Sequence, residues 1–364
     1  MKVERPVVWL VHWGLPVLDS GSQRTLQLLR DFASMGPTTM IDVAPTPAAP
    51  DPAEPWRYRY DGPRVPTMSH LWRRTLPDVW ARRGEAIADA YVREAAAAGV
   101  DVLMFSVWPL VPSAASRAIA ERPTVLWDGD SHSAYHATRA AAPSVARPLR
   151  LHSAWLASRY RRFERRFEHG VDHVTLCGPL DVLSVKRHAE VAATCVPNPV
   201  RQVRRTPGPT IYDFGFLGSG WAPNRDGLRW FLRKVWVNVV NARPHATLAV
   251  AGTVPFNDQT GVVRLGRVPD KDAFYSQVGA AVVPIDYGSG TQMKLLETAE
   301  LGIPVYATPY GFQSTTLANL TVLDSAHEWV DRLIRHLDGD VPASPSGFAP
   351  GPQTALKHVL GDIP

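Results

Sequence analysis

Cysteine is nearly absent: the 364 residues include two, Cys177 and Cys195, with no paired spacing. This argues against a disulfide framework and against a cysteine metal site, and it fits a reducing, cytoplasmic setting. Long apolar runs are missing as well. No stretch approaches the roughly 20 residues that a membrane-crossing helix needs. The opening MKVERPVVWLVHWG has neither the apolar length nor the small-residue pattern of a secretory signal, so it is expected to form the first buried strand of a soluble protein. Lysine-rich tails are lacking too. The net charge of +5 rests on arginine clusters, which favours anionic partners such as nucleotide diphosphates, lipid headgroups or nucleic acid, and charge alone does not choose among them.

What is present is a length beyond that of one growing hydrophobic core, so two domains with a cleft between them are expected. Val7 to Val11 reads as a strand, followed by a loop with Gly21-Ser22-Gln23-Arg24 and a helical pattern through Leu26, Leu29 and Phe32. Strand, glycine-containing loop and helix N-terminus open a doubly wound α/β domain. Met40 to Val43, Val100 to Phe105, Thr124 to Trp127, His173 to Leu176 and Ala193 to Val196 continue the strands. Ala44 to Pro66, dense in proline, reads as an irregular surface loop. Pro197-Asn198-Pro199-Val200 and the basic Arg201 to Pro209 read as a linker. A second wound unit then starts at Ile211 to Leu217, with a helix over Asn224 to Asn241 and further strands at Thr247 to Ala251, Val262 to Leu265 and Ala280 to Ile285. The expected division is 1–200, 201–338 and a Pro/Gly-rich tail with a short helix at 339–364.

The densest chemistry lies in DYGSGTQMKLLETAELGIPVYATPYG, residues 286–311. Gly288-Ser289-Gly290-Thr291 precede a helix, and backbone N–H groups at a helix N-terminus form an anion site that glycines leave uncrowded. Lys294 and Glu297 share one face of that helix. The cation suits phosphate oxygens and the carboxylate suits a pair of sugar hydroxyls. The bland alternative is a capped helix with an ordinary exposed Lys294–Glu297 pair.

These residues, with PNPV at 197–200 and FGFLGSGWAPNRDGLRWFLRKVW at 214–236, resemble the retaining glycosyltransferases of the GT-B fold, closest to glycosyltransferase family 4. The family pattern of glycine-rich turn, Leu-Glu-Ala and Gly-x-Pro-Val is matched by Leu296-Glu297-Thr298 and Gly302-Ile303-Pro304-Val305. The resemblance covers about Leu10 to Leu337. It implies an α/β architecture of two Rossmann-like parallel-sheet domains facing across a cleft, and transfer of a sugar from a nucleotide diphosphate donor. In that reading Glu297 binds the donor ribose, and Gly218, Ser219, Arg225, Lys294 and Gly288 to Thr291 hold the diphosphate, joined by Gly21 and Arg24 of the first domain. Two positions depart from the pattern. Ser289 stands where many members carry a second glutamate, and no lysine accompanies Arg225, which leaves Lys294 as the diphosphate cation. No metal or other cofactor is expected. A nucleotide-sugar epimerase of the same fold and a catalytically silent scaffold are the alternatives.

Asp128-Gly129-Asp130 follows a strand and matches the metal-holding Asp-x-Asp of the other major glycosyltransferase fold, but a three-residue match is common. The preferred expectation puts Asp128 and Asp130, with His132, on the acceptor side, so that His132, Asp130 and Lys294 form the expected catalytic set; the bland alternative for His132 is a loop histidine with no role. The acceptor itself, whether small molecule, glycan or lipid, is not specified. Arg159, Arg161, Arg162, Arg165 and Arg166 surround Leu156, Tyr160, Phe163 and Phe167 at helical spacing. A helix with one apolar core face and one solvated basic face is the preferred reading, with peripheral membrane contact as the alternative and no nucleic-acid role.

Overall fold

The computed structural model describes residues 6–12, 20–47, 51–62, 77–198, 209–315 and 317–346. They divide into two compact units, 6–136 with 154–198, and 137–153 with 209–346. The helices His132–Ala141 and Arg147–Glu164 each begin in one unit and end in the other. The linker residues 201–208 and the expected last helix lie outside the described residues.

The first unit is built on seven parallel strands in the order β3-β2-β1-β4-β5-β6-β7. They are β1 Val8–His12, β2 Thr38–Asp42, β3 Arg57–Tyr60, β4 Val102–Ser106, β5 Thr124–Gly129, β6 His173–Leu176 and β7 Ala192–Cys195. A parallel sheet is covered on both faces, which is why its central strands read as unbroken apolar runs such as VLMF. One cluster packs Tyr91, Phe105, Trp127, Phe163 and Phe167, and another packs Leu28, Leu29, Phe32, Met40, Met104 and Leu126. β3 lies inside the stretch expected to be irregular, and that expectation is corrected here. Its RYRY sequence carries no apolar signal because it is an edge strand, held by Tyr58 Oη donating to Asp42 at 2.8 Å and by Arg59 paired with Asp61 and Glu94.

The second unit has six parallel strands in the order β10-β9-β8-β11-β12-β13. They are β8 Tyr212–Gly218, β9 Leu248–Gly252, β10 Val262–Gly266, β11 Val278–Val283, β12 Val305–Ala307 and β13 Thr321–Val322. β8 lies beside β11, with Phe214 and Gly215 opposite Ala280 and Ala281. Connections leave in opposite directions on either side of this pair, and in open parallel sheets ligands bind beyond the carboxyl ends of strands at such a point. The expected helix after β8 runs from Ala222 to Ala242, interrupted by a π-helical turn at Leu232–Trp236. Its apolar side packs Leu228, Phe231 and the fully buried Trp236 against Trp329 and Leu333. The indole N–H groups of Trp236 and Trp329 donate to the carbonyls of Thr260 and Leu323, both at 3.0 Å, so neither ring buries an unpaired polar group.

The helix after β8 can reach the sheet because position 227 is glycine. A Cβ there would lie 2.3 Å from the Pro284 carbonyl oxygen, directly after β11. Gly227→Ala is therefore expected to destabilise the protein by about 1–3 kcal/mol through overpacking. An unobstructed helix position would instead gain about 1 kcal/mol from the same change. Chemical denaturation of both proteins reads the sign.

Candidate functional site

The site is assembled from the carboxyl ends of β8 and β11 upward, within the second unit. Gly218 closes β8, and the Ser219 hydroxyl accepts from the Trp221 amide at 3.4 Å, turning the chain into the following helix. Asn224, in that helix's first turn, is buried. Its amide nitrogen donates to the carbonyl and hydroxyl oxygens of Ser219, both at 3.3 Å. Its carbonyl oxygen accepts from Lys294 Nζ at 2.5 Å. Asn224, a residue that the sequence did not single out, thus ties the end of β8 at Gly218 and Ser219 to Lys294 of the helix Met293–Glu300.

Lys294 lies 5.2 Å over the Phe216 ring and donates to the neutral side-chain carbonyl of Asn224. Burial lowers its pKa to about 7; Glu297 opposes that shift and Lys271 adds to it. Glu297 does not pair with Lys294 in the way the bland alternative requires. Its carboxylate accepts from Lys271 Nζ at 2.8 Å, and the Lys271 side chain is 55% exposed. Arg225 is half-exposed, with its Nε 3.4 Å from Asp226. Asp226 also accepts from the fully buried Tyr287 Oη at 2.7 Å.

The loop that leads to Lys294 is closely constrained. A Cβ on Gly288 would lie 2.6 Å from Tyr310 Oη, and Gly290 has a φ of 67°, in the left-handed region. The Gly288 amide donates to Thr138 Oγ1 at 3.1 Å, and Thr138 Oγ1 donates to the Gly288 carbonyl at 2.9 Å. One amide of the expected anion site is thus engaged within the protein. Ser289 and Thr291 are half-buried, Gln292 precedes the first helical residue Met293, and the Asp286 carboxylate accepts from the Ser144 amide and hydroxyl. Burial raises the Asp286 pKa against the lowering effect of those two bonds.

In the first unit, Gly21 falls in the opening turn of the helix Ser20–Met35 and Arg24 in its second. Arg24 is buried. Its guanidinium forks onto Asp128, with the closer contact at 2.5 Å, and donates to the Val196 carbonyl. Burial alone would lower its pKa, but the Asp128 charge and bonds and neighbouring negative groups hold it above the ordinary value. Asp128 accepts further from Thr175 Oγ1 at 2.7 Å and Ser106 Oγ at 3.4 Å. Asp130, two residues on, is exposed. His132 starts its helix with the ring stacked on Tyr160 at 4.9 Å; burial lowers its pKa against the charges of Glu164 and Asp130, which favours a neutral imidazole. Leu156, Tyr160, Phe163 and Phe167 are buried while Arg161, Arg162 and Arg165 are exposed, the arrangement of a core-facing helix with a solvated basic side. Among the described residues no helix is long and apolar enough to cross a membrane.

Residues 212–338, from β8 through the helix Ala326–Leu337, match the family model described as Glycosyl transferases group 1. No curated protein sequence matches the chain. Among solved structures, sucrose-phosphate synthase from Thermosynechococcus elongatus is similar at 15% identity with a TM-score of 0.61, over 92% of this chain and 90% of that one. The α,α-trehalose 6-phosphate synthase from Burkholderia multivorans is similar at 10% identity and a TM-score of 0.58, over 92% and 89%. HepE from Anabaena, solved in complex with UDP and glucose, is similar at 10% identity and a TM-score of 0.56, over 92% and 90%. At these identities the likeness is one of architecture, and with the two parallel sheets described above it assigns the chain to the GT-B fold.

Proposed function

We propose that the protein is a glycosyltransferase that moves a sugar from a nucleoside diphosphate donor to an acceptor hydroxyl, with retention at the anomeric carbon and without a metal. The observation that carries this reading is the Gly218-Ser219-Asn224-Lys294 connection with Glu297 one turn beyond, inside the segment that matches the group 1 family model. HepE, solved with UDP and glucose, supports a uridine-type donor.

In this proposal Glu297 exchanges Lys271 for the ribose hydroxyls. Lys294 and Arg225 face the diphosphate, together with backbone at Gly218, Ser219 and Ser289 to Thr291. Asp130 and the neutral His132 serve the acceptor, and Arg24 fixes the Asp128 end of that strand. The leaving diphosphate gains negative charge in the transition state, and a cation held near an apolar ring stabilises that charge more than water would. In this reading that cation is Lys294. Its lowered pKa means that an arriving anion draws a proton onto it.

Glu297→Gln keeps the shape and removes the charge. Donor affinity is expected to fall roughly ten- to a hundredfold, as for a hydrogen bond to a charged group worth about 1.5–3 kcal/mol. Unchanged UDP affinity by calorimetry would remove Glu297 from the site. The second test is pH. Lys294 loses its proton as pH rises through about 7, and the phosphate is already ionised above about 6. UDP affinity should therefore fall between pH 7 and 9 with proton uptake on binding, and Lys294→Met should flatten the profile. Chelation is the third: transfer should persist in EDTA, and loss of activity restored by Mn²⁺ would reverse the metal-free reading.

A further inference from the structure

We propose that Thr138 and Ser144 are positioning residues of the donor loop, a clamp that sets the conformation of Asp286, Tyr287 and Gly288 and through it the affinity for the nucleotide diphosphate. The proposal rests on the donor reading above. Three consecutive loop residues each have a partner in the segment 137–153 of the same unit. The Asp286 carboxylate takes the Ser144 amide at 2.8 Å and its hydroxyl at 2.6 Å. The Arg139 guanidinium sits 5.8 Å from the centroid of the Tyr287 ring. Thr138 Oγ1 engages both the N–H and the C=O of Gly288.

The last contact is demanding. A hydroxyl has one proton and two lone pairs, so a single Thr138 oxygen can accept from the amide and donate to the carbonyl of the same residue. Valine has the same shape and would leave both peptide groups without that partner, whereas serine keeps the hydroxyl. On its other sides the loop is fixed by the Tyr287–Asp226 bond and by the tight fit of Gly288 against Tyr310. Without Thr138 and Ser144, the loop would lose the anchors that fix its path just before Ser289 to Lys294.

The test compares wild type, Thr138→Val, Thr138→Ser and Ser144→Ala by two measurements. Hydrogen exchange without ligand reads the clamp: the Gly288 amide should exchange at least about tenfold faster in Thr138→Val and near the wild-type rate in Thr138→Ser. Equal exchange in the valine variant would overturn the proposal. Calorimetric titration with UDP, GDP and ADP reads the consequence for the tightest of the three. The Kd should rise about tenfold in Thr138→Val, recover in Thr138→Ser, and rise less in Ser144→Ala, which retains the amide bond to Asp286. A purely structural role would lower the melting temperature of Thr138→Val and leave its Kd at the wild-type value, and that result would overturn the proposal while the donor reading stands. Failure of the wild-type protein to bind any of the three would overturn the donor reading, and the clamp's donor role with it.

Discussion

Charge that is removed from water must find a partner, and the buried carboxylates of this protein show how that constraint organises both units. Asp128 accepts from Arg24, Thr175 and Ser106; Glu164 accepts from Ser131, Ser133 and His188; Asp226 accepts from Tyr287 and Arg225. Asp128 and Glu164 draw donors from several separate elements, and Asp226 ties its helix to the loop of Tyr287, so each group joins distant parts of the chain at one point. Such clusters add little net stability over an apolar replacement, but breaking one partner costs about 3–5 kcal/mol. Their main effect is on geometry.

Lys294 is the exception. It lies against an aromatic ring and donates to a neutral side-chain amide. In the proposed reading, the diphosphate supplies the counter-charge that the carboxylates obtain from within the protein. The same logic separates Lys294 from Arg24, whose positive charge is already answered by Asp128.

The parallel sheets were legible because buried strands must be apolar on both faces, and runs such as VLMF in β4 or VGAAVV in β11 leave little choice. The Lys294–Glu297 helix was legible from its glycine-rich approach. β3 was not, since an edge strand made of arginine and tyrosine has the composition of a loop. Asn224 carried a weak signal, a polar residue in the first turn after a strand, but nothing local ties it to position 294. The pairing of Glu297 with Lys271 was hidden because helical spacing nominates Lys294 first, and only the fold brings the other lysine closer. Thr138 had no local signal at all. Its role depends on a contact with a residue 150 positions away.

That separation bears on how the second unit is completed as the chain is made. Residues 137–153 are synthesised well before the loop they hold, by an interval on the order of ten seconds at about 5–20 residues per second. Until Asp286 to Gly288 arrive, Thr138 and Ser144 lack those partners, and the loop-closing entropy is met only then. The second unit is therefore not a contiguous block that can be cut out at its first strand. A fragment beginning at residue 209 would carry Lys294 and Glu297 but neither Thr138 nor Ser144.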